Sequence, residues 1–317
     1  MVFKRLLGAF GVGAPSVDTV LATPGVRPGE TMRGEVRLKG GDFDADIEYI
    51  ALGLVTRVEA EHGEGEQTGL MEFYRTEVSG PFRLGTGEER VLPFEFPVPW
   101  ETPVTEVWNE PLHGMAMGVR TELAIAKAVD KGDLDAIRVN PLPSQDVVLQ
   151  AFARLGFQFK GADLEVGSLY GVDQHLPFYQ EIEFYPPPAY AHVVNEIELT
   201  FVASPAGLDI VLEADARGGH SGYSGDSFGR WRASHEEALH RDWAAEINGW
   251  LTALAQHGGH GGYGGHHDPY DHDSHHGGHD LGTVAAAGAA GVVGGMIAAE
   301  VIDEIGDMFE GEEEEED

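Results

Sequence analysis

The sequence predicts a mainly all-β chain: two tandem antiparallel β-sandwich domains with a few short helices and a low-complexity C-terminal tail. Three observations lead there. Apolar and polar residues alternate at period two in short runs, Gly and Pro turns separate those runs, and no long helical pattern interrupts them before residue 140. Strand after strand without intervening helices is the pattern of antiparallel sandwiches.

"VDTVLAT" opens the first domain, and "PGVRPGE" turns the chain into "TMRGEVRLKG". There Met32, Gly34, Val36 and Leu38 alternate with Thr31, Arg33, Glu35 and Arg37, which gives a strand with one wet face. "ADIEYIALGLVTRVEAE" is a longer strand whose centre is apolar on both sides, as between two covered faces, and it runs out into the charged loop "HGEGEQTG". "LMEFYRTEVSGPFRL", "RVLPFEFPVPW" and "MAMGVRTELAIAKAV" read as further strands, with "ETPVT" as a turn.

Pro141 and Pro143 stiffen a short connection, which sets the domains at residues 1–143 and 144–256. Ser144 is expected to cap a helix through "QDVVLQAFARLG", where Val147, Val148, Phe152 and Leu155 share a face and Gly156 is the stop. Strands resume in "FQFKGADLEVG", "LPFYQEIEFYPPP", "VNEIELTFVASPAG", "LDIVLEADARGG" and "FGRWRASH". "DWAAEINGWLTALAQ" closes the domain as an amphipathic helix with Trp243, Ile247, Trp250, Leu251 and Leu254 on one side, so the helices sit at the ends of the second sheet domain.

Fifty-four acidic residues against twenty basic ones give a formal charge of -34. Nucleic acid and anionic lipid are both bound through Lys and Arg, so neither is an expected partner. The chain has no cysteine, which removes disulfides, thiolate nucleophiles and cysteine-ligated zinc. The run from Leu6 to Ala14 is brief and Gly-rich for a signal peptide and reads as an edge segment or short helix; a cytoplasmic location is the expectation.

Enzyme signatures fail. His235 and His240 lie five apart, where a zinc-protease pair needs four to share a helix face. The glycine clusters "GAFGVGAPS" and "HGEGEQTG" fit neither a dinucleotide fingerprint nor a phosphate loop, and "SGYSGDSFG" has serines near Asp226 and His220 but no nucleophile-elbow pattern.

The segments "GEVRLKGGDFDADIEYIALGLVTRVEAE", "MGVRTELAIAKAVDKGDLD" and "QEIEFYPPP" followed by "NEIELTF" resemble the bacterial sporulation-control family, written SpoOM. The resemblance implies an arrestin-like fold of two tandem β-sandwiches. It also implies a cytoplasmic regulatory or scaffold protein in sporulation, developmental or cell-cycle control, with other proteins as partners and no catalytic residues or cofactor.

Beyond the family's core lies a linker at residues 257–280, with eight histidines and eight glycines. Imidazoles suit Zn, Ni and Cu, which makes His266, His267, His272, His275 and His276 the candidate weak metal ligands of an alternative, metal-binding or pH-responsive reading. Its Gly-Gly pairs point first to a spacer. Residues 281–317 are expected to form a small-residue helix and an acidic finish. Ala287, Gly291, Gly295 and Ala299 recur at spacing four, a ladder suited to self-association. Missing basic flanks disfavour membrane contact.

Overall fold

The computed structural model describes residues 13–62, 65–216, 227–257 and 295–297. The N-terminal segment before Gly13, the His-rich linker after His257 and all of the small-residue ladder except Gly295 lie outside the described residues. In chain order the strands are β1 (Ser16–Leu21), β2 (Gly25–Val26), β3 (Thr31–Lys39), β4 (Ala45–His62), β5 (Gly65–Ser79), β6 (Phe82–Leu84), β7 (Glu89–Pro97), β8 (Glu106–Val107), β9 (Glu110–Pro111), β10 (Met117–Ile125), β11 (Lys131–Ala136) and β12 (Arg138–Val139). Helix α1 (Pro143–Leu155) follows, then β13 (Gln158–Val166), β14 (Phe178–Tyr185), β15 (Val194–Ser204), β16 (Gly207–Ala216), β17 (Ser227–Ser234), α2 (His235–His240), α3 (Trp243–His257) and β18 (Gly295–Ile297). The chain is mainly β, with three short helices among the described residues.

In the first half a three-stranded sheet, β1-β3-β7, faces the strands β11-β10-β4-β5. Alternation decides which side chains meet: Met32, Val36 and Leu38 of β3 and Phe96 of β7 enter one core with Ile50, Leu52 and Leu54 of β4 and Val119 and Leu123 of β10. The long strand β4 is buried on its other face as well, at Ala51 and Val55. The expected loop "HGEGEQTG" is mostly strand, since β4 and β5 stay paired out to His62 opposite Gly65.

The second half is one antiparallel sheet, β13-β14-β15-β16-β17. The helices expected at its ends are its second layer. Val148, Leu149 and Phe152 of α1 and Trp243, Ile247 and Leu251 of α3 share a core with Ile182, Phe184, Ile197, Leu199, Ile210 and Leu212 on the inner face of the sheet. Their apolar stripes pack on that face.

The start of α1 also departs from the expected cap. Pro143, whose fixed φ suits the first turn, begins the helix, and Leu142 occupies the capping position. Gln145 reaches back to accept from the Leu142 N–H at 2.8 Å, while Ser144 lies inside the first turn and bonds His235. Gly156 ends the helix in the left-handed conformation, φ 87°, and its N–H donates to the Ala153 carbonyl.

The two cores interlock. Val104, Val107 and Leu112 from the first half of the chain pack into the second core, and Leu164, Leu176 and Phe178 from the second half pack into the first. Gln180, 8% exposed, imitates a strand partner: its carbonyl oxygen accepts from the Val104 N–H at 2.9 Å and its amide donates to the Val104 carbonyl at 2.7 Å. Glu101 accepts from the backbone N–H groups of both His175 and Leu176 at 2.8 Å. A parallel pairing of Glu59 with Glu165 makes β4 and β13 neighbours in one continuous sheet. Among the described residues no helix is long and apolar enough to cross a membrane.

Removing the Gln180 amide leaves a buried N–H and a buried carbonyl without partners, each costing about 1–3 kcal/mol. Gln180→Ala is expected to lower the unfolding free energy by about 2–4 kcal/mol, read as a fall in the urea midpoint.

Candidate functional site

A groove opens where the halves meet. Its wall is the β8–β9 hairpin, whose two turn residues, Trp108 and Asn109, both have positive φ, 55° and 67°. Two left-handed residues in succession make the turn whose twist matches a tight hairpin, a place where Asn-Gly is usual. A Trp there costs on the order of 1–2 kcal/mol of backbone strain. A hydrogen bond holds the indole in place: Trp108 is 53% exposed, and its Nε1–H donates to Asp146 of α1 at 2.7 Å.

Beneath it, Pro111 and Leu112 of the hairpin, Leu149 and Ala153 of α1, and Phe159 and Phe184 of the sheet line a cavity of about 190 Å³. Phe152 packs tilted against Phe184 at 4.7 Å, and Phe159 meets Phe184 edge-on at 6.2 Å, so the floor is a locked aromatic cluster. Phe159 itself is 39% exposed. Small-molecule sites usually enclose about 300–1,000 Å³, so this volume suits one or two apolar side chains of a partner better than a cofactor. Charge at the mouth comes from Glu110 and from the Asp146 that holds Trp108.

The outer face of the second sheet is the other unusual surface. On successive strands Asp163 lies across from Glu181, Glu183 from Glu198, and Glu198 from Glu213, so like charges oppose one another directly. Such pairs destabilise a sheet unless protons or cations offset them. Lys160 does so locally, bonding Glu183 at 3.1 Å and Glu196 at 2.6 Å. Elsewhere burial and then the neighbouring carboxylates push the Glu181 carboxyl up to about 9 and those of Glu198 and Asp163 to about 7. Three carboxylate triads, Asp163 with Glu165 and Glu181, Glu181 with Glu198 and Glu213, and Glu183 with Glu196 and Glu198, gather ligand atoms within 4.8 Å. These are oxygen donors, suited to a hard cation such as Ca²⁺. They share nothing with the candidate ligands His266, His267, His272, His275 and His276, which lie outside the described residues.

Among the described residues, a serine–histidine pair is formed by Ser144 and His235. Ser144 Oγ lies 2.8 Å from His235 Nδ1, and His235 Nε2 lies 2.9 Å from the Ser204 carbonyl, to which Nε2 donates its proton. Ser144 is only 2% exposed, so its oxygen cannot meet a substrate. The pair ties α1 to α2 and to the β15–β16 turn. Of the small-residue ladder, Gly295 lies in the extended strand β18, paired with β5, where a helix was expected; the glycines of this segment penalise helix by about 1 kcal/mol each relative to Ala, and an open strand edge accepts the backbone instead. Ala287, Gly291 and Ala299 lie outside the described residues.

Sequence reasoning missed the groove because "VWNEPL" carries no glycine to announce its turn. The acidic face had a readable signal. In "QEIEFY", "NEIELT" and "ADLEV" the acids recur at period two on neighbouring strands, which stacks them on one face.

Residues 3–218 match the family described as SpoOM protein. The sporulation-control protein spo0M of Bacillus subtilis strain 168 is 37% identical over 216 residues, which are 68% of this chain and 81% of that protein. The crystal structure of Spo0M from Bacillus subtilis superimposes with a TM-score of 0.68 at 32% identity, covering 77% of this chain and all of that one.

The acidic face makes stability depend on pH with a definite sign. Glu181, Glu198 and Asp163 hold their protons more tightly folded than unfolded, so their stabilisation is present at low pH and is lost as pH rises from the usual carboxylate range to about 9. His175, raised by its hydrogen bond to Glu101 and that carboxylate's charge, acts in the same direction. The melting temperature is therefore expected to fall between pH 6 and pH 9. Glu181→Gln should raise it at pH 9 by about 2–4 °C, the equivalent of roughly 1 kcal/mol, and should leave it nearly unchanged at pH 6, as thermal melts at the two pH values will show.

Proposed function

From the premise that this chain belongs to the SpoOM protein family, we propose that it is a non-catalytic, cytoplasmic regulatory protein of sporulation control that works by binding other proteins. The observation that carries this reading is the groove under Trp108. An aromatic side chain held half-exposed by a strained turn, over a rigid apolar floor of about 190 Å³, has the character of an interface anchor. Buried cores explain neither the exposure of Trp108 nor that of Phe159. The partner such a groove fits presents an apolar side chain, and the carboxylates of Glu110 and Asp146 at the mouth favour a basic residue beside it.

An enzymatic reading finds less support, since the serine–histidine pair is buried and the acidic face offers no group with a nucleophile beside it. The relative's printed role in sporulation control supplies the process, and its 37% identity reaches across both halves of this chain.

Expressed in a Bacillus subtilis strain lacking its own spo0M, the chain is expected to restore the normal frequency of heat-resistant spores. Trp108→Ala and Phe159→Glu alter only half-exposed side chains and should melt within about 4 °C of the parent, because surface changes rarely exceed about 0.5–1 kcal/mol. Both are expected to lower the restored effect at least tenfold. Full restoration by both variants would contradict the groove as the working surface, and no effect of the parent chain would contradict the proposed process.

A further inference from the structure

One apolar patch belongs to neither core. Ala51 and Val55 of β4 and Leu70 of β5 are 3%, 1% and 3% exposed, yet none joins either hydrophobic cluster. They alternate with the core-facing Ile50, Leu52 and Leu54, so they lie on the opposite, outward face, where the register sets Ala51 across from Glu122, Val55 across from Gly118, and Leu70 across from Arg57. Beside them Glu72 is 8% exposed and pairs with Arg75 at 3.3 Å, which also reaches Glu122 at 2.7 Å. The Glu72 side chain lies over Gly53 between Ala51 and Val55, so this buried surface sits directly beside β5.

The outer edge of β5 is itself occupied. β4 takes one side of β5, and on the other side β18 pairs antiparallel, with Gly295 opposite Glu72, Met296 opposite Met71 and Ile297 opposite Leu70. We propose that the C-terminal segment around Met296 is a built-in edge strand, which closes the β5 edge and so occupies in cis a site for strand addition. Without it, β5 would present free N–H and carbonyl groups beside buried apolar surface, the arrangement that draws edges of separate molecules together.

Three residues of pairing are weak by themselves, since ordering each costs about 1–2 kcal/mol of backbone entropy. The connection makes the contact intramolecular. Residues 258–294 join α3 to β18, and a chain of that length reaches at most about 120–130 Å. Tethered this way, the strand competes at an effective concentration on the order of millimolar, which excludes short free segments at micromolar concentration and yields to a longer pairing strand. The His/Gly-rich stretch is then the spacer of a strand-sized latch. This inference is independent of the groove.

Hydrogen exchange by mass spectrometry on the full chain tests it. Met296→Pro deletes an N–H and the φ freedom that the pairing needs, and it is expected to speed exchange of the Leu70–Glu72 amides at least tenfold while leaving β10 unchanged. Since the chain has no cysteine, Met71→Cys with Met296→Cys provides a second measurement, because directly opposed strand residues have Cα atoms about 4.5–5.5 Å apart, within disulfide range. That pair is expected to form an intramolecular disulfide at least tenfold faster than Met71→Cys with Ala289→Cys. Unchanged exchange in Met296→Pro together with equal rates for the two cysteine pairs would overturn the proposal, and so would a disulfide that forms only between molecules.

Discussion

The carboxamide of Gln180 does for the two halves what a backbone ladder does for two strands. It gives Val104 both a donor and an acceptor in a place where water does not reach. A buried polar pair of this kind is favourable only when both members are present. The position of Val104 in turn fixes the segment that leads to the β8–β9 hairpin, and the hairpin is the wall of the groove. Buried residues from each half complete the other's core, so the arrangement cannot be loosened at one end without exposing apolar surface at the other. The site thus depends on docking of the halves, and the docking depends on a few satisfied polar atoms.

The two unusual surfaces of the second sheet follow from one alternation. Ile182 and Phe184 point inward to the aromatic floor, and Glu181 and Glu183 between them point outward to the acidic face. Packing is optimised on the inner side and charge repulsion is tolerated on the outer. A chain of formal charge -34 that crowds carboxylates on one sheet face keeps its protons or takes cations there, whereas the groove on the opposite side stays apolar. The strained turn at Trp108 and the opposed carboxylates are both local costs that the rest of the fold over-determines.

Much of the architecture was legible from local pattern. β3 was readable to within one residue, because Met32, Val36 and Leu38 alternate cleanly with charged neighbours, and α3 was readable because its tryptophans and aliphatics share one stripe. Features set by tertiary context were not. The layering of α1 and α3 on the sheet requires knowing which faces meet, and the cap of α1 passed from Ser144 to its neighbours because His235, far along the chain, takes the serine hydroxyl. Helix α2 did have a signal that went unread: Ser234 and Glu237 form a capping box, with Ser234 Oγ accepting from the Glu237 N–H. The groove was illegible because its lining residues come from three separate stretches, and the hairpin that walls it turns on Trp-Asn in place of a glycine pair.

The central claim is that the halves fold and hold as one unit through the interlocked cores. Pulsed hydrogen exchange across a urea titration tests it, following peptides from β10 in the first half and from β16 in the second. Coincident midpoints and slopes for both are predicted, because neither core is complete alone. Two separated transitions, with one half protected after the other has exchanged, would contradict the account.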